Sequence, residues 1–155
     1  MSKKLAIIGA SGHGKVIADI ALKNGYEIVG FLDDNDAVKE IAGFPVLGSV
    51  SEIPSYQTEC EFIIAIGNNR IREMIAEQYA VNWATLIHPT AVIGMDVQIE
   101  VGTVHVGERV HVGVGACVKN NTNITADVTV GAGAAVVKDI TEAGVYVGVP
   151  AGRMR

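Results

Sequence analysis

Nine six-residue units in a row fix what the second half of this chain can fold into. Val or Ile recurs at Ile87, Ile93, Ile99, Val106, Val112, Val118, Ile124, Val130 and Val136. Four residues after each stands a small or β-branched residue: Ala91, Val97, Thr103, Val110, Ala116, Thr122, Val128, Ala134 and Ile140. A unit of this length supplies one short strand and one turn, with the two recurring positions pointing inward. Three units close a triangular coil, so nine predict a solenoid of about three coils. The frame slips once. Ile99 and Val106 are seven apart instead of six, so one residue is added at about 103–106, as a bulge or a loop.

Composition agrees with a narrow interior. Seven of the eight aromatic residues precede His88, and only Tyr146 follows it. A core of Val, Ile, Ala and Gly suits a repeating coil better than a globule. The net charge of −5 argues against nucleic acid or an anionic membrane as the main partner. No apolar run approaches the length of a membrane span, and Leu5–Ile8 is too short for the apolar region of a signal peptide. Cys60 and Cys117 stand alone in strand-like contexts, which predicts reduced, buried thiols in a cytoplasmic protein.

The first part of the chain reads differently. Leu5–Ile8 is a continuous apolar run ending at Gly9, the pattern of a strand buried on both faces. Gly9-Ala10-Ser11-Gly12-His13-Gly14 follows, then a helical pattern over Lys15–Asn24 with Val16, Ile17, Ile20 and Ala21 on one face and Gly25 as its cap. A second strand over Glu27–Leu32 ends on Asp33-Asp34. A third, over Phe62–Ile66, ends on Gly67-Asn68-Asn69 ahead of a helix over Arg70–Tyr79. Alternating strands and helices imply a parallel sheet, and ligands on such sheets sit at the carboxyl ends of the strands. All three polar clusters fall at those ends.

Several readings of the glycine cluster stay open. Glycines let a phosphate approach the backbone, and the helix N-terminus behind them favours negative charge. The Gly9, Gly14, Lys15 spacing mimics a P-loop, but Val16 occupies the magnesium-binding Ser/Thr position. A dinucleotide loop needs G-x-G-x-x-G, whereas this one is G-x-x-G-x-G. A tight turn that binds nothing is the plain alternative, and a nucleotide-sugar phosphate is the preferred one. Asp33 and Asp34 could accept hydrogen bonds from a ribose or base, or could simply build a solvated turn. Asn68 and Asn69 could read a base or sugar edge, or cap the helix that follows. His13, inside the turn, is either a ligand contact or a solvated surface histidine.

The hexads, the Tyr146-Val147-Gly148-Val149-Pro150-Ala151-Gly152-Arg153-Met154 tail, and the motifs Gly9–Gly14, Phe31–Asp34 and Ala65–Asn69 together resemble the bacterial hexapeptide-repeat sugar acetyltransferases. That family includes sialic acid O-acetyltransferases and UDP-4-amino-sugar N-acetyltransferases. The resemblance implies an α/β Rossmann-like domain over 1–86 and a short left-handed parallel β-helix over 87–155. It implies substrate contacts from Ser11, Gly12, His13, Asp33, Asp34 and Asn69, acetyl-CoA as co-substrate in a channel lined by Val114 and Ala132, and a homotrimer. One departure stands out. The family carries further coils in mid-solenoid, holding a catalytic histidine followed by an acidic residue, and here the early coils pass directly into the late ones at the frame slip. The departure reads as a deletion.

Acetyl transfer to an amine or hydroxyl needs a base for the nucleophile's proton, and an imidazole oriented by a carboxylate suits that task. His13 belongs to the glycine turn, and His88 before Pro89 marks entry to the solenoid. His105 and His111, six residues apart, are expected to stack outward on one face of successive coils. Valine, not Asp or Glu, follows each, so they are surface or interface residues or substitute bases. No third ligand suggests a metal. The expected function is acetyl-CoA-dependent acetylation of a nucleotide-linked sugar, with a catalytically silent sugar-nucleotide-binding or scaffold protein as the alternative.

Overall fold

The structure is a computed structural model that describes residues 2–99 and 104–154, apart from the side chains of Asn69 and Gln98. The chain divides into two compact units, Met1–Ala84 and Thr85–Arg155. The division falls two residues ahead of the expected 86/87 step, because Leu86 pairs with His105 in the second unit.

The first unit runs β1 (Lys4–Ile8), α1 (Gly12–Lys23), β2 (Glu27–Leu32), β3 (Glu40–Ile41), β4 (Phe44–Gly48), a 3-10 turn (Val50–Glu52), α2 (Ile53–Tyr56), β5 (Glu61–Ile64) and α3 (Asn69–Gln78). The sheet order is β3-β4-β2-β1-β5, parallel except for the β3–β4 hairpin at one edge. Leu5, Ala6, Ile7 and Ile8 are fully buried, as their unbroken apolar run requires of a central strand. β5 is shorter than expected, since pairing with β1 ends at Ile64. Helix α1 starts earlier than expected and buries Gly14, Ile17, Ala18, Ile20 and Ala21. Val16, expected on that face, is 54% exposed, because the 3.6-residue period centres the buried stripe on Ile17 and Ala21. Gly25, with φ of 80°, follows the C-cap Asn24.

In the second unit the chain visits three sheets in rotation. Its strands are β6 (Leu86–Ile87), β7 (Val92–Ile93), β8 (Gln98–Ile99), β9 (His105–Val106), β10 (His111–Val112), β11 (Cys117–Val118), β12 (Asn123–Ile124), β13 (Val128–Val130), β14 (Ala135–Val136), β15 (Gly144–Val147) and β16 (Gly152–Arg153). The sheets are β12-β9-β6, β16-β15-β13-β10-β7 and β14-β11-β8, with parallel pairing throughout except β15–β16. Ile87 pairs with Val106, nineteen residues on, whereas Val106 pairs with Ile124, eighteen residues on. The slip is therefore one extra residue in the first coil, lying between Ile99 and Val104. Val104, fully buried, stands in register with Thr122; the sequence pattern had put Thr103 there, and Thr103 lies outside the described residues.

Valines and isoleucines of successive turns form one core from Val104 to Ile140. Backbone carries the stacking: Gly94 N–H donates to Val112 O at 2.7 Å and Gly113 N–H to Val130 O at 2.8 Å. At the corners the turns nearly touch. A β-carbon on Gly113 would lie 2.6 Å from the Ala132 nitrogen. The tail folds back as the β15–β16 hairpin, and Arg153 Nη1 bonds Glu142 Oε2 at 3.0 Å. Gly113→Ala should cost about 1–3 kcal/mol through this clash. Gly152→Ala, where a β-carbon meets nothing within 4 Å, should stay within about 0.5 kcal/mol of the parent. Urea midpoints of the two variants check the order.

Candidate functional site

The sheet order makes the candidate site. After β1 the chain moves through β2 to β4 on one side, then returns to place β5 on the other. The loops after β1 and β5 therefore diverge at their carboxyl ends, and such a switch point opens a crevice where ligands bind. The two loops meet at its base. Gly9 has φ of 110°, and a β-carbon there would lie 2.8 Å from the Ala65 carbonyl oxygen. A β-carbon on Gly14 would strike the Gly9 carbonyl, so only glycine lets the helix start this close to the strand end.

Ser11 is the N-cap of α1 in extended conformation, yet its hydroxyl makes no capping bond, and the first turn holds no acidic residue. A helix N-terminus whose cap side chain is not engaged favours an anion. Ser11 and Gly12 are exposed and His13 is half-buried in the same turn. Across the crevice Asn68 Oδ1 accepts from Ile71 N–H at 3.2 Å, which makes Asn68 the N-cap of α3. The backbone of Asn69 opens that helix, and its side chain lies outside the described residues.

The two aspartates after β2 differ. Asp33 Oδ2 accepts from Ala10 N–H at 2.6 Å and Oδ1 from Asn35 N–H at 2.8 Å, so this carboxylate ties the glycine loop to the next strand end. Asp34 is exposed, and its Oδ1 accepts from Val50 N–H at 2.9 Å. A side chain not singled out from the sequence, Arg72 of α3, is fully buried with Nη1 2.8 Å from Ile66 O. A cleft of about 520 Å³ opens instead at the amino-terminal edge of the sheet, between Lys3, Lys4, Glu27, Cys60 and Glu61. Its charges serve one another. Burial raises the Glu61 carboxyl, but hydrogen bonds from Lys3 (2.7 Å) and Tyr26 (2.6 Å) outweigh it and hold the pKa below the usual value. The strand-end crevice, at a helix N-terminus, is the better candidate.

In the second unit His105 and His111 do not stack. Six residues are a third of a coil, so His105 lies in the β12-β9-β6 sheet and His111 in the sheet of β10. His105 is only 4% exposed, against the expected outward placement, and its neighbour in the previous turn, Leu86, is fully buried too. His111 is exposed between Val92 and Thr129. Val114 and Ala132 do stack: Gly133 N–H donates to Val114 O at 3.0 Å, and Gly115 N–H to Met95 O at 3.1 Å. Met95, Val114 and Ala132 form an exposed column at the corner that follows His111. Met95 was not picked out from the sequence, although its position relative to Val114 repeats the nineteen-residue register of the strands. Neither cysteine forms a disulfide, but Cys117 is exposed rather than buried, since it occupies the outer position of β11. Among the described residues no cluster of His, Cys, Asp or Glu could hold a metal ion, and no helix is long and apolar enough to cross a membrane.

Comparison with known proteins bears on both units. The family model described as the PglD N-terminal domain matches residues 4–79. The acetyltransferase domain of PglB from Neisseria gonorrhoeae, solved in complex with acetyl coenzyme A, is 30% identical, with 99% of this chain and 100% of that one covered at a TM-score of 0.61. The chain belongs to the bacterial sugar acetyltransferase family. A family member from Caulobacter crescentus, PerB, solved in complex with CoA and GDP-perosamine, is 26% identical over 98% of this chain and 97% of its own, with a TM-score of 0.57. UDP-N-acetylbacillosamine N-acetyltransferase from Bacillus subtilis is 34% identical over 110 residues, 66% of this chain. The chain spans half or less of the length of the curated relatives it matches.

Asp33→Asn leaves only one acceptor oxygen for two N–H groups, and should lower stability by about 1–2 kcal/mol. Asp34→Asn keeps an oxygen for Val50 N–H and should stay within about 0.5 kcal/mol. Equilibrium urea unfolding of both variants measures the difference.

Proposed function

We propose that this chain transfers the acetyl group of acetyl-CoA to a nucleotide-linked amino sugar, or a related sugar, in the cytoplasm. The observation that carries the reading is the strand-end crevice, with its uncapped α1 N-terminus, on a chain that matches an acetyl-CoA-bound acetyltransferase domain from end to end. The α1 N-terminus, with Ser11, Gly12 and His13 in its first turn, suits a phosphate of the nucleotide. Asp34 and Asn69 contribute to nucleotide or sugar recognition, and Asp33 acts by holding the Ala10 loop. The exposed column of Met95, Val114 and Ala132 is read as the strip for acetyl-CoA, a ligand class with which relatives have been solved. The second unit is read as a left-handed β-helix of hexapeptide type that assembles as a homotrimer.

In the reaction the sugar's amine or hydroxyl attacks the thioester carbonyl carbon. A nitrogen–carbon or oxygen–carbon bond forms, the carbon–sulfur bond breaks, and the nucleophile's proton passes to a base. CoA leaves as a thiolate and is protonated. His111, exposed on the strand that leads into the Val114 corner, is the better substitute base; His105 is buried. The middle coils that carry the family's histidine–acid pair are read as deleted at the extra residue between Ile99 and Val104.

Neither His105 nor His111 is followed by an acidic residue, and this favours a second reading, a silent nucleotide-sugar-binding protein. Thiol release from acetyl-CoA with a panel of UDP- and GDP-linked amino sugars separates the two. The expected result is turnover that falls about a hundredfold in His111→Ala with nucleotide binding retained. Binding of both ligands without thiol release would favour the silent protein, and binding of neither would defeat both readings.

A further inference from the structure

We infer that Thr129 is a positioning residue for His111: its hydroxyl accepts from the imidazole Nδ1–H and so leaves Nε2 bare to take the nucleophile's proton. The inference rests on the reading of His111 as the substitute base. Both residues belong to one column of outward side chains. Parallel register puts Val92, His111, Thr129 and Val145 side by side on β7, β10, β13 and β15. Two polar residues thus stand next to one another with a valine on each flank. Val92 and Val145 offer no side-chain hydrogen bond, although both are exposed. Within the column, His111 and Thr129 are each other's only polar neighbour. Val112, which follows His111 along the chain, is fully buried and apolar, so it supplies no acceptor for the ring.

Strand spacing sets the reach. Neighbouring strands of a sheet lie about 4.8 Å apart, so side chains in register lean against one another along the column. Nδ1 is the ring nitrogen nearer the backbone, within range of a hydroxyl on the adjacent strand, and Nε2 stands at the far end of the ring. An imidazole acts as a base through the nitrogen that carries no proton, and the hydrogen bond made by the other nitrogen decides which that is. A threonine hydroxyl has lone pairs to offer such an N–H. Thr129 is half-buried and stiff at χ1, so holding its hydroxyl costs little freedom. Neither side chain is hydrogen-bonded to another described residue, which leaves both uncommitted. Contacts of this kind often tighten only when substrate is bound. In the reaction the nucleophile's proton arrives at Nε2, and the imidazolium so formed keeps its Nδ1–H on the Thr129 oxygen. A hydroxyl carries no charge, so it selects the tautomer and orients the ring without adding what a carboxylate would.

Thiol release from acetyl-CoA with the UDP- and GDP-linked amino sugars, measured for Thr129→Val and Thr129→Ser, tests this. Thr129→Val keeps the shape and removes the acceptor. It should lower kcat about tenfold, the worth of one hydrogen bond, with KM for both substrates within about twofold. Thr129→Ser should restore most of the rate. In a His111→Ala background, Thr129→Val should cost less than about twofold more, because residues that act as a unit are not additive. A full tenfold loss there, or an unchanged kcat in Thr129→Val alone, would overturn the inference and leave His111 standing as the base. Ring-nitrogen NMR of the full chain gives a readout independent of turnover. Neutral His111 should carry its proton on Nδ1 in the parent and on Nε2 in Thr129→Val. A parent already protonated on Nε2 would overturn the inference, even where Thr129→Val fails to fold. No thiol release by the parent with any sugar, or full activity in His111→Ala, would remove the reading of His111 as base and the inference with it.

Discussion

Backbone lies directly against backbone at the decisive points of both units, with no room for a side chain between. In the first unit this is the approach of Gly9 to the Ala65 carbonyl and of Gly14 to the Gly9 carbonyl. In the second it is the corner where Gly113 meets Ala132. The first approach starts α1 immediately beyond the strand end, so that its N-terminus opens beside the β1–β5 switch point. The second lets each turn of the coil hydrogen-bond the next, which is how a turn too small to bury its own face becomes stable.

Much of this was legible in the sequence, for a definite reason. The hexad period repeats often enough that a single departure from it stands out, and the strand register confirms that departure as one extra residue. The inward place ahead of His105 was read as Thr103, because Thr103 and Val104 are both β-branched and either satisfies the pattern; hydrogen bonding, which the sequence does not display, gives it to Val104. The histidines were misplaced by a counting consequence of the same repeat, since six residues advance a third of a coil and not a whole one. The β3–β4 edge went unseen because Phe44–Gly48 is short, contains Pro45 and is only partly buried, so it lacks the apolar run that marks β1.

The site was less legible than the fold. The glycine loop announced itself through spacing, and Asn68 through its position before a helix. Asp33 and Asp34 look equivalent in sequence, yet one carboxylate uses both oxygens on Ala10 and Asn35 and the other is exposed, with one oxygen on Val50 N–H. Arg72 gave no signal at all, being a charged residue on a helix where exposure is the rule. The proposed substrate class and chemistry draw on relatives solved with CoA or acetyl-CoA and, in one case, a nucleotide sugar.

The central claim is that one chain recognises both an acetyl donor and a nucleotide-linked sugar. Isothermal titration of the intact protein with acetyl-CoA, followed by a UDP- or GDP-linked amino sugar, tests it most directly. The account predicts saturable binding of each, with the second ligand still bound when the first is at saturation. Absence of binding by both acetyl-CoA and every nucleotide sugar would contradict it.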